Sequence, residues 1–324
     1  MIGTTEPVGN APAFVDCYGE LANRLTPRVL EICPGVEVFR SRPRSEAELI
    51  ARLRGRQHVI VYMGYLSAPV LRACPDLKTV AYLSSGLATH VDLDTARSLG
   101  ITIRGVRNYG DQAVAEHAVA LAFAALKRIA ESDRRVRQNR WELVRTDEFA
   151  GRTFGVIGLG GIGRQVARTA AALGANVVGW SRSASKGERT FDDGAVTTCS
   201  LDTVLSRADI LSLHLALTPE TEGILGAKEF ARIKPGAILV NTARAALVDE
   251  IALVDALRCG RLSHCALDVF HKEPPDPASP LLALENVTLT PHSAWYTGDA
   301  IDRLLISGFK LLKQQIGEFS RATD

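Results

Sequence analysis

The run FGVIGLGGIGRQVARTAAALGANVVGWSRS, Phe154 to Ser183, carries Gly158-x-Gly160-x-x-Gly163 between an apolar stretch and a helical pattern that stops at Gly174. At a strand-to-helix turn, the first glycine permits a tight reversal, the second lets the backbone approach a pyrophosphate, and the third lets helix pack on strand. The phosphates then sit at the helix N-terminus, where free N–H groups point at them. This context predicts a dinucleotide site built on Gly158, Gly160, Gly161, Ile162 and Gly163. The following strand ends in Ser181-Arg182-Ser183, close to where an Asp or Glu would bind the ribose hydroxyls of NAD. Without that carboxylate a 2′-phosphate meets no repulsion. Arg182 can give it charge-assisted hydrogen bonds, with Ser181 and Ser183 as added donors. The expected cofactor is NADP(H), with NAD(H) left open.

Three further stretches, VNTARAALVDE, ALDVFHKEPP and LTPHSAW, each follow or end a predicted strand of the same sheet. Their side chains therefore fall at the carboxyl edge, where the cleft of a doubly wound fold opens. They offer a cation (Arg244), an acid (Glu273) and an imidazole (His292). Beside a nicotinamide these are the parts that carbonyl reduction needs. Each alone has a plainer reading: Arg244 as the partner of Asp249, Glu273 as a turn residue before Pro274-Pro275, His292 as a loop histidine held by its neighbours.

Such residues must be brought together by rigid elements. In the first third, short β-rich runs (AFVDC, VEVF, HVIVY, KTVAYL, ITIRGV) alternate with helical patterns (GELANRLTPRVLEIC, SEAELIARL), which predicts a parallel sheet covered by helices. A long helical segment from Gln112, QAVAEHAVALAFAALKRIAESDRRVRQ, interrupts the rhythm, and a domain boundary is expected near Gly110. After Thr153 six strands follow: TFGVIGL, NVVGWS, DILSLHL, AILVNTA, HCALDVF and NVTLTP. Their spacing matches a doubly wound nucleotide-binding sheet. The closing pattern, AIDRLLISGFKLLKQQIGEF, predicts an amphipathic helix returning to the first domain.

Composition narrows the class of partner. With 324 residues, 46% of them hydrophobic, the chain can fill two medium cores. A net charge of +2 gives no electrostatic basis for nucleic acid or an acidic membrane surface, so a small-molecule partner is expected. The basic residues Arg134, Arg135, Arg137 and Arg140 are interrupted by Glu131, Asp133 and Glu142, as on a solvated helix face or a subunit contact. Six cysteines without a C-x-x-C pair fit reduced thiols and no metal site. The first residues, MIGTTEPVGNAPAF, do not read as a secretion signal, and the longest apolar run, Ala118 to Leu126, is far short of the ~20 residues of a membrane span. A soluble, cytoplasmic protein is the expectation.

Taken in order, the stretches resemble the D-2-hydroxyacid dehydrogenase family over nearly the whole chain. The family pattern N-x-[AS]-R-G-x-x-V-[DN] matches Asn241 to Asp249 with Ala245 in place of the glycine. A-L-D-V-F-x-x-E-P runs complete from Ala266 to Pro274, and T-P-H before a small-residue turn marks His292. The resemblance implies an α/β protein of two doubly wound parallel-sheet domains. A Rossmann nucleotide-binding domain, 111–292, is inserted into a smaller flavodoxin-like substrate domain made of 1–110 and 293–324. It implies that His292 gives a proton to the carbonyl oxygen of a 2-oxoacid while hydride passes from the nicotinamide to C2. Arg244 holds the substrate carboxylate and polarises the carbonyl. Glu273 orients the imidazole and stabilises its charged form.

The resemblance further puts Asp268 against the nicotinamide amide and Leu215, Thr242, Ala243 and, besides its catalytic role, His292 in the cofactor site. It identifies Ser85-Gly86-Leu87 as the loop for the substrate carboxylate, with Leu87 where a glycine is usual. Trp295 is either a wall of the substrate pocket or plain packing, Tyr62 and Met63 could line the same cleft, and Ala216 replaces a proline near the adenine. His117 reads as a structural residue of its helix. Relatives pair through their nucleotide-binding domains, and Ala118 to Leu126 is too apolar on all sides to face water alone, so a homodimer is expected. The leading reading is an NADPH-dependent reductase of the glyoxylate or hydroxypyruvate kind. The alternatives are an NAD-dependent dehydrogenase of the D-3-phosphoglycerate type, against which the missing acid and the lack of a C-terminal regulatory extension count, and a dinucleotide-sensing corepressor that shares an HxAWY-like turn.

Overall fold

The computed structural model describes residues 11–182, 189–190 and 194–323. The chain divides into two compact units, 1–110 with 296–324, and 111–295.

In the first unit the strands are β1 (Ala13–Phe14), β2 (Glu37–Val38), β3 (His58–Val61), β4 (Thr79–Tyr82) and β5 (Thr102–Gly105), all parallel in the order β2-β1-β3-β4-β5. HVIV and TVAY are buried at every position because helices cover both faces of the sheet, which is why their hydrophobicity runs on without alternation. The amphipathic helix Gly298–Thr323 lies on this sheet, with Phe309 edge-on to Phe14 at 6.3 Å and Gln315 donating to the carbonyls of Val80 and Thr102. The helix expected over Gly19 to Cys33 is split into Glu20–Arg24 and Pro27–Leu30. Pro27 at the first helical position has no N–H to continue the earlier helix, and its ring pushes Thr26 into extended backbone.

In the second unit follow β6 (Thr153–Ile157), β7 (Asn176–Trp180), β8 (Arg189–Thr190), β9 (Thr197–Thr198), β10 (Ile210–Leu213), β11 (Ala237–Asn241), β12 (Leu262–Leu267) and β13 (Val287–Leu289). Among the described residues they form one sheet, β13-β12-β11-β10-β6-β7-β9-β8, parallel except for β8 against β9. The strand order reverses between β6 and β10, the crevice where doubly wound sheets bind ligands. The two-residue strands β8 and β9 add to the six expected from sequence.

The long helix expected from Gln112 is two helices, Asp111–Leu126 and Ile129–Arg137, broken where Arg128 adopts left-handed backbone with φ 51°. The first of these packs against the helix Gly161–Ala172 and against β11 and β12. Ala115, Ala118, Ala122 and Ala125 are buried there, their small side chains permitting close approach. The apolar run Ala118 to Leu126 is thus largely covered within its own unit. Among the described residues no helix is long and apolar enough to cross a membrane, no cluster of His, Cys, Asp or Glu could hold a metal ion, and all six cysteines are free.

Candidate active site

Three neighbouring parallel strands deliver the residues with chemistry to one edge. Arg244 stands three positions past β11, Glu273 six past β12 and His292 three past β13. His292 Nδ1 lies 2.7 Å from Glu273 Oε2, both side chains being about two-fifths exposed. The other carboxylate oxygen accepts from the N–H of Phe270 at 3.1 Å, which fixes the rotation of the acid. His292 itself holds left-handed backbone, φ 51°, at the turn after the strand.

That turn is fastened by Asp268, whose carboxylate is fully buried. Oδ1 accepts from the hydroxyl of Thr290 at 2.6 Å and the N–H of Ser293 at 2.9 Å; Oδ2 accepts from the N–H of Ala294 at 2.9 Å. Asp268 was expected at a nicotinamide amide. In the structure its oxygens hold the loop that carries His292. His117, expected as a structural residue of an apolar helix, lies 3.0 Å from Thr290 Oγ1.

Arg244 is half-buried and donates to the carbonyl of Ala243 at 2.6 Å; it makes no ion pair among the described residues. Asp249 is engaged elsewhere, capping the helix Glu250–Arg258 by accepting from Ala252 N at 3.0 Å. The loop carrying Arg244 is braced by Asn241, whose side chain donates to the Arg244 carbonyl at 2.9 Å and accepts from Ala243 N at 3.0 Å. Sequence reasoning used Asn241 only as a motif letter. Its position next to the arginine loop was the available signal.

The glycine turn lies at the carboxyl end of β6. Gly158 has φ 102°, and a Cβ there would come within 2.6 Å of the His214 backbone after β10. A Cβ on Gly163 would sit 1.8 Å from the carbonyl oxygen of Gly158, so helix and turn can close only on glycine. At Gly161 it would lie 2.0 Å from Asp111 Oδ2, whereas at Gly160, the N-cap of the helix Gly161–Ala172, it would meet nothing within 4 Å. Ile162, Leu215 and Ala243 are part-buried against the unit's cores. Thr242 is buried, and its hydroxyl has no partner among the described residues. An open approach at Gly160, free N–H groups at the start of a twelve-residue helix and an unpartnered buried hydroxyl fit a dinucleotide.

Ser181 is half-buried just past β7 and Arg182 is exposed; Ser183 lies outside the described residues. Glu220 is held below the usual carboxylate range, first by the Thr218 hydroxyl and its own backbone N–H, and in part by the nearby charge of Arg182. The strand end and the loop after β10 therefore face the same solvent.

A family model for the D-isomer specific 2-hydroxyacid dehydrogenase, NAD binding domain, matches residues 119–294. The chain belongs to the D-2-hydroxyacid dehydrogenase family. The chain is 37% identical over 269 residues to a D-3-phosphoglycerate dehydrogenase of Archaeoglobus fulgidus, covering 82% of this chain and 50% of the relative. It is 40% identical over 238 residues to a glyoxylate reductase of Aeropyrum pernix, covering 71% and 70%. It spans about half the length of the phosphoglycerate dehydrogenases that it matches. An acyclic imino acid reductase solved with NADPH and D-Arg is 28% identical, with a TM-score of 0.81 over 95% of this chain and 97% of that one. Membership brings a nicotinamide dinucleotide as cofactor.

Two departures from the family pattern find their physical account in the backbone. Ala245 begins the short 3-10 turn Ala245–Leu247, and neither it nor Leu87 has positive φ, so neither position requires glycine. In the first unit, Ser85 is exposed, Gly86 and Leu87 are half-buried, and the Gly86 N–H is already given to Ser84 Oγ at 3.2 Å. Leu87 packs onto that unit's core, beside Gly105. Tyr62 is nearly buried and Met63 half-exposed, their N–H groups donating to the buried carboxylate of Asp16 at 2.7 and 2.8 Å. Trp295 is half-buried at the end of the second unit.

Proposed function

We propose that this protein reduces a small 2-oxoacid of the glyoxylate, hydroxypyruvate or pyruvate type with NADPH, giving a D-2-hydroxyacid. The observation that carries the reading is the 2.7 Å His292–Glu273 pair, at the same sheet edge as a guanidinium without a carboxylate partner among the described residues. Unit 111–295 is the proposed dinucleotide-binding domain, and the other unit the substrate domain. Gly158 to Gly163 and Thr242 would hold the cofactor. When bound, the reduced nicotinamide supplies the hydride that C2 receives.

The chain's own residues do the rest. Arg244 presents a planar fork to the substrate carboxylate and a fixed positive charge to the carbonyl oxygen as it gains electron density. Glu273 accepts a hydrogen bond from Nδ1 of His292, which orients the ring and leaves Nε2 as the atom that delivers a proton to that oxygen. The partial exposure of His292 lets solvent return the proton afterwards.

Ser181 and Arg182, in place of a carboxylate, support NADP(H) over NAD(H). They weigh against the rival suggested by the relatives' names, an NAD-dependent D-3-phosphoglycerate dehydrogenase. A cytoplasmic setting draws support from six free cysteines, five of them buried. A homodimer draws support from Trp141 and Leu143, 89% and 102% exposed after the helix Ile129–Arg137. Light scattering at micromolar concentration should give the mass of two chains, and replacing both residues by Ser should shift it toward one; a monomeric parent would remove the proposal.

The proposed chemistry is tested by following NADPH oxidation with glyoxylate for the parent and Glu273→Gln. Without the carboxylate that holds Nδ1, the ring loses its fixed orientation, so kcat should fall about 10-fold or more while the dissociation constant for NADPH holds. An unchanged kcat would take Glu273 out of the mechanism, and absence of turnover with any 2-oxoacid would count against the function.

A further inference from the structure

A carboxylate oxygen only accepts, and the single hydroxyl proton of Thr290 points at Asp268 Oδ1, 2.6 Å away. The Thr290 oxygen is left with lone pairs alone for its other neighbour, His117 Nε2, at 3.0 Å. His117 must therefore be the donor, with its proton on Nε2. Nε2 also lies 3.6 Å from Asp268 Oδ1, so the same N–H faces the carboxylate directly. The result is a one-way chain, His117 Nε2–H to Thr290 Oγ–H to Asp268. It ends on the carboxylate that receives the N–H groups of Ser293 and Ala294, immediately after His292. The members come from the helix Asp111–Leu126, from the residue following β13 and from the residue following β12, so the chain links three elements far apart in sequence.

We infer that His117 is a positioning residue for the reaction, acting through Thr290 and Asp268 to hold the His292 turn in its left-handed conformation, φ 51°. The inference rests on His292 being the proton donor. A turn held in a sparsely populated backbone region persists only where its surroundings over-determine it, and Asp268 does so with both oxygens. If Thr290 lost its donor, its hydroxyl could turn away from Asp268, and the buried carboxylate would hold the turn with one hydrogen bond fewer.

The test compares His117→Ala, His117→Gln, Thr290→Val and the double variant His117→Ala/Thr290→Val. Glutamine sets an amide N–H donor near the place of Nε2, so it should restore most of what alanine loses. In the alanine and valine variants kcat should fall about 10-fold, roughly the worth of one hydrogen bond, with the dissociation constant for NADPH unchanged. The double variant should be no worse than Thr290→Val, because both changes break one chain. Glutamine as damaging as alanine, additive losses, or an unchanged kcat would overturn the inference. Nitrogen NMR of the histidine rings reads the same claim without turnover. The parent should show His117 protonated at Nε2, and Thr290→Val should shift the His292 ring signals. A His117 ring protonated only at Nδ1, or His292 signals indifferent to Thr290→Val, would overturn it even if the chemistry proposed above proved wrong.

Discussion

Replacing His292 with alanine is expected to lower kcat by roughly 10²–10⁴-fold, the usual worth of a positioned acid, while leaving dinucleotide binding largely intact. The loss should fall on kcat because His292 stands past β13, with β12, β11 and β10 between it and the glycine turn after β6. Among the described residues its side chain bonds to the carboxylate of Glu273. Removing it leaves Asp268 still accepting from the turn's backbone, so the loop should persist without its imidazole. Turnover within a few-fold of the parent would mean that another group gives the proton.

The second large effect is expected at the strand end after β7. If Arg182 grips a 2′-phosphate, Arg182→Ala should raise the apparent KM for NADPH and leave that for NADH nearly unchanged. A hydrogen bond to a charged group is worth ~1.5–3 kcal/mol, so the selective loss should be on the order of 10- to 150-fold. The exposure of Arg182 favours the lower part of that range, since solvent and Glu220 share its charge. Adding Ser181→Asp should carry preference toward NADH, because the new carboxylate repels the phosphate and accepts from the ribose hydroxyls. Steady-state kinetics of the three proteins with both cofactors decides it. A parent that prefers NADH, or an Arg182→Ala variant that weakens both cofactors equally, would contradict this account of the strand end.

What could be read from sequence follows from which contacts are local. The glycine turn was legible because strand, turn and helix are consecutive, and the clash that requires glycine at 163, with the Gly158 carbonyl, lies within that unit of chain; the His214 backbone that crowds Gly158 comes from beyond β10 and needed the fold. The strands were legible because buried parallel strands carry unbroken apolar runs such as HVIV and AILVN. Arg244, Glu273 and His292 were found by their place after strands; that His292 and Glu273 meet at 2.7 Å required the fold. The break at Arg128 was invisible because no proline or glycine marks it. The roles of Asn241, Thr290 and Asp268 were hidden for a different reason. A short polar side chain that braces a loop looks, in sequence, like any other turn residue, and its partners here lie up to 173 positions away. In the helix Asp111–Leu126 uniform apolarity signals burial without saying whether the cover comes from the same chain.

The most direct test of the central claim is a single mixing experiment with the purified protein, NADPH and, in separate runs, glyoxylate, hydroxypyruvate and pyruvate, following the nicotinamide absorbance and then the chirality of the lactate formed from pyruvate. The account predicts oxidation of NADPH that depends on a 2-oxoacid, with the D isomer as product. Binding of NADPH without its oxidation by any of the three, or formation of the L isomer, would contradict it.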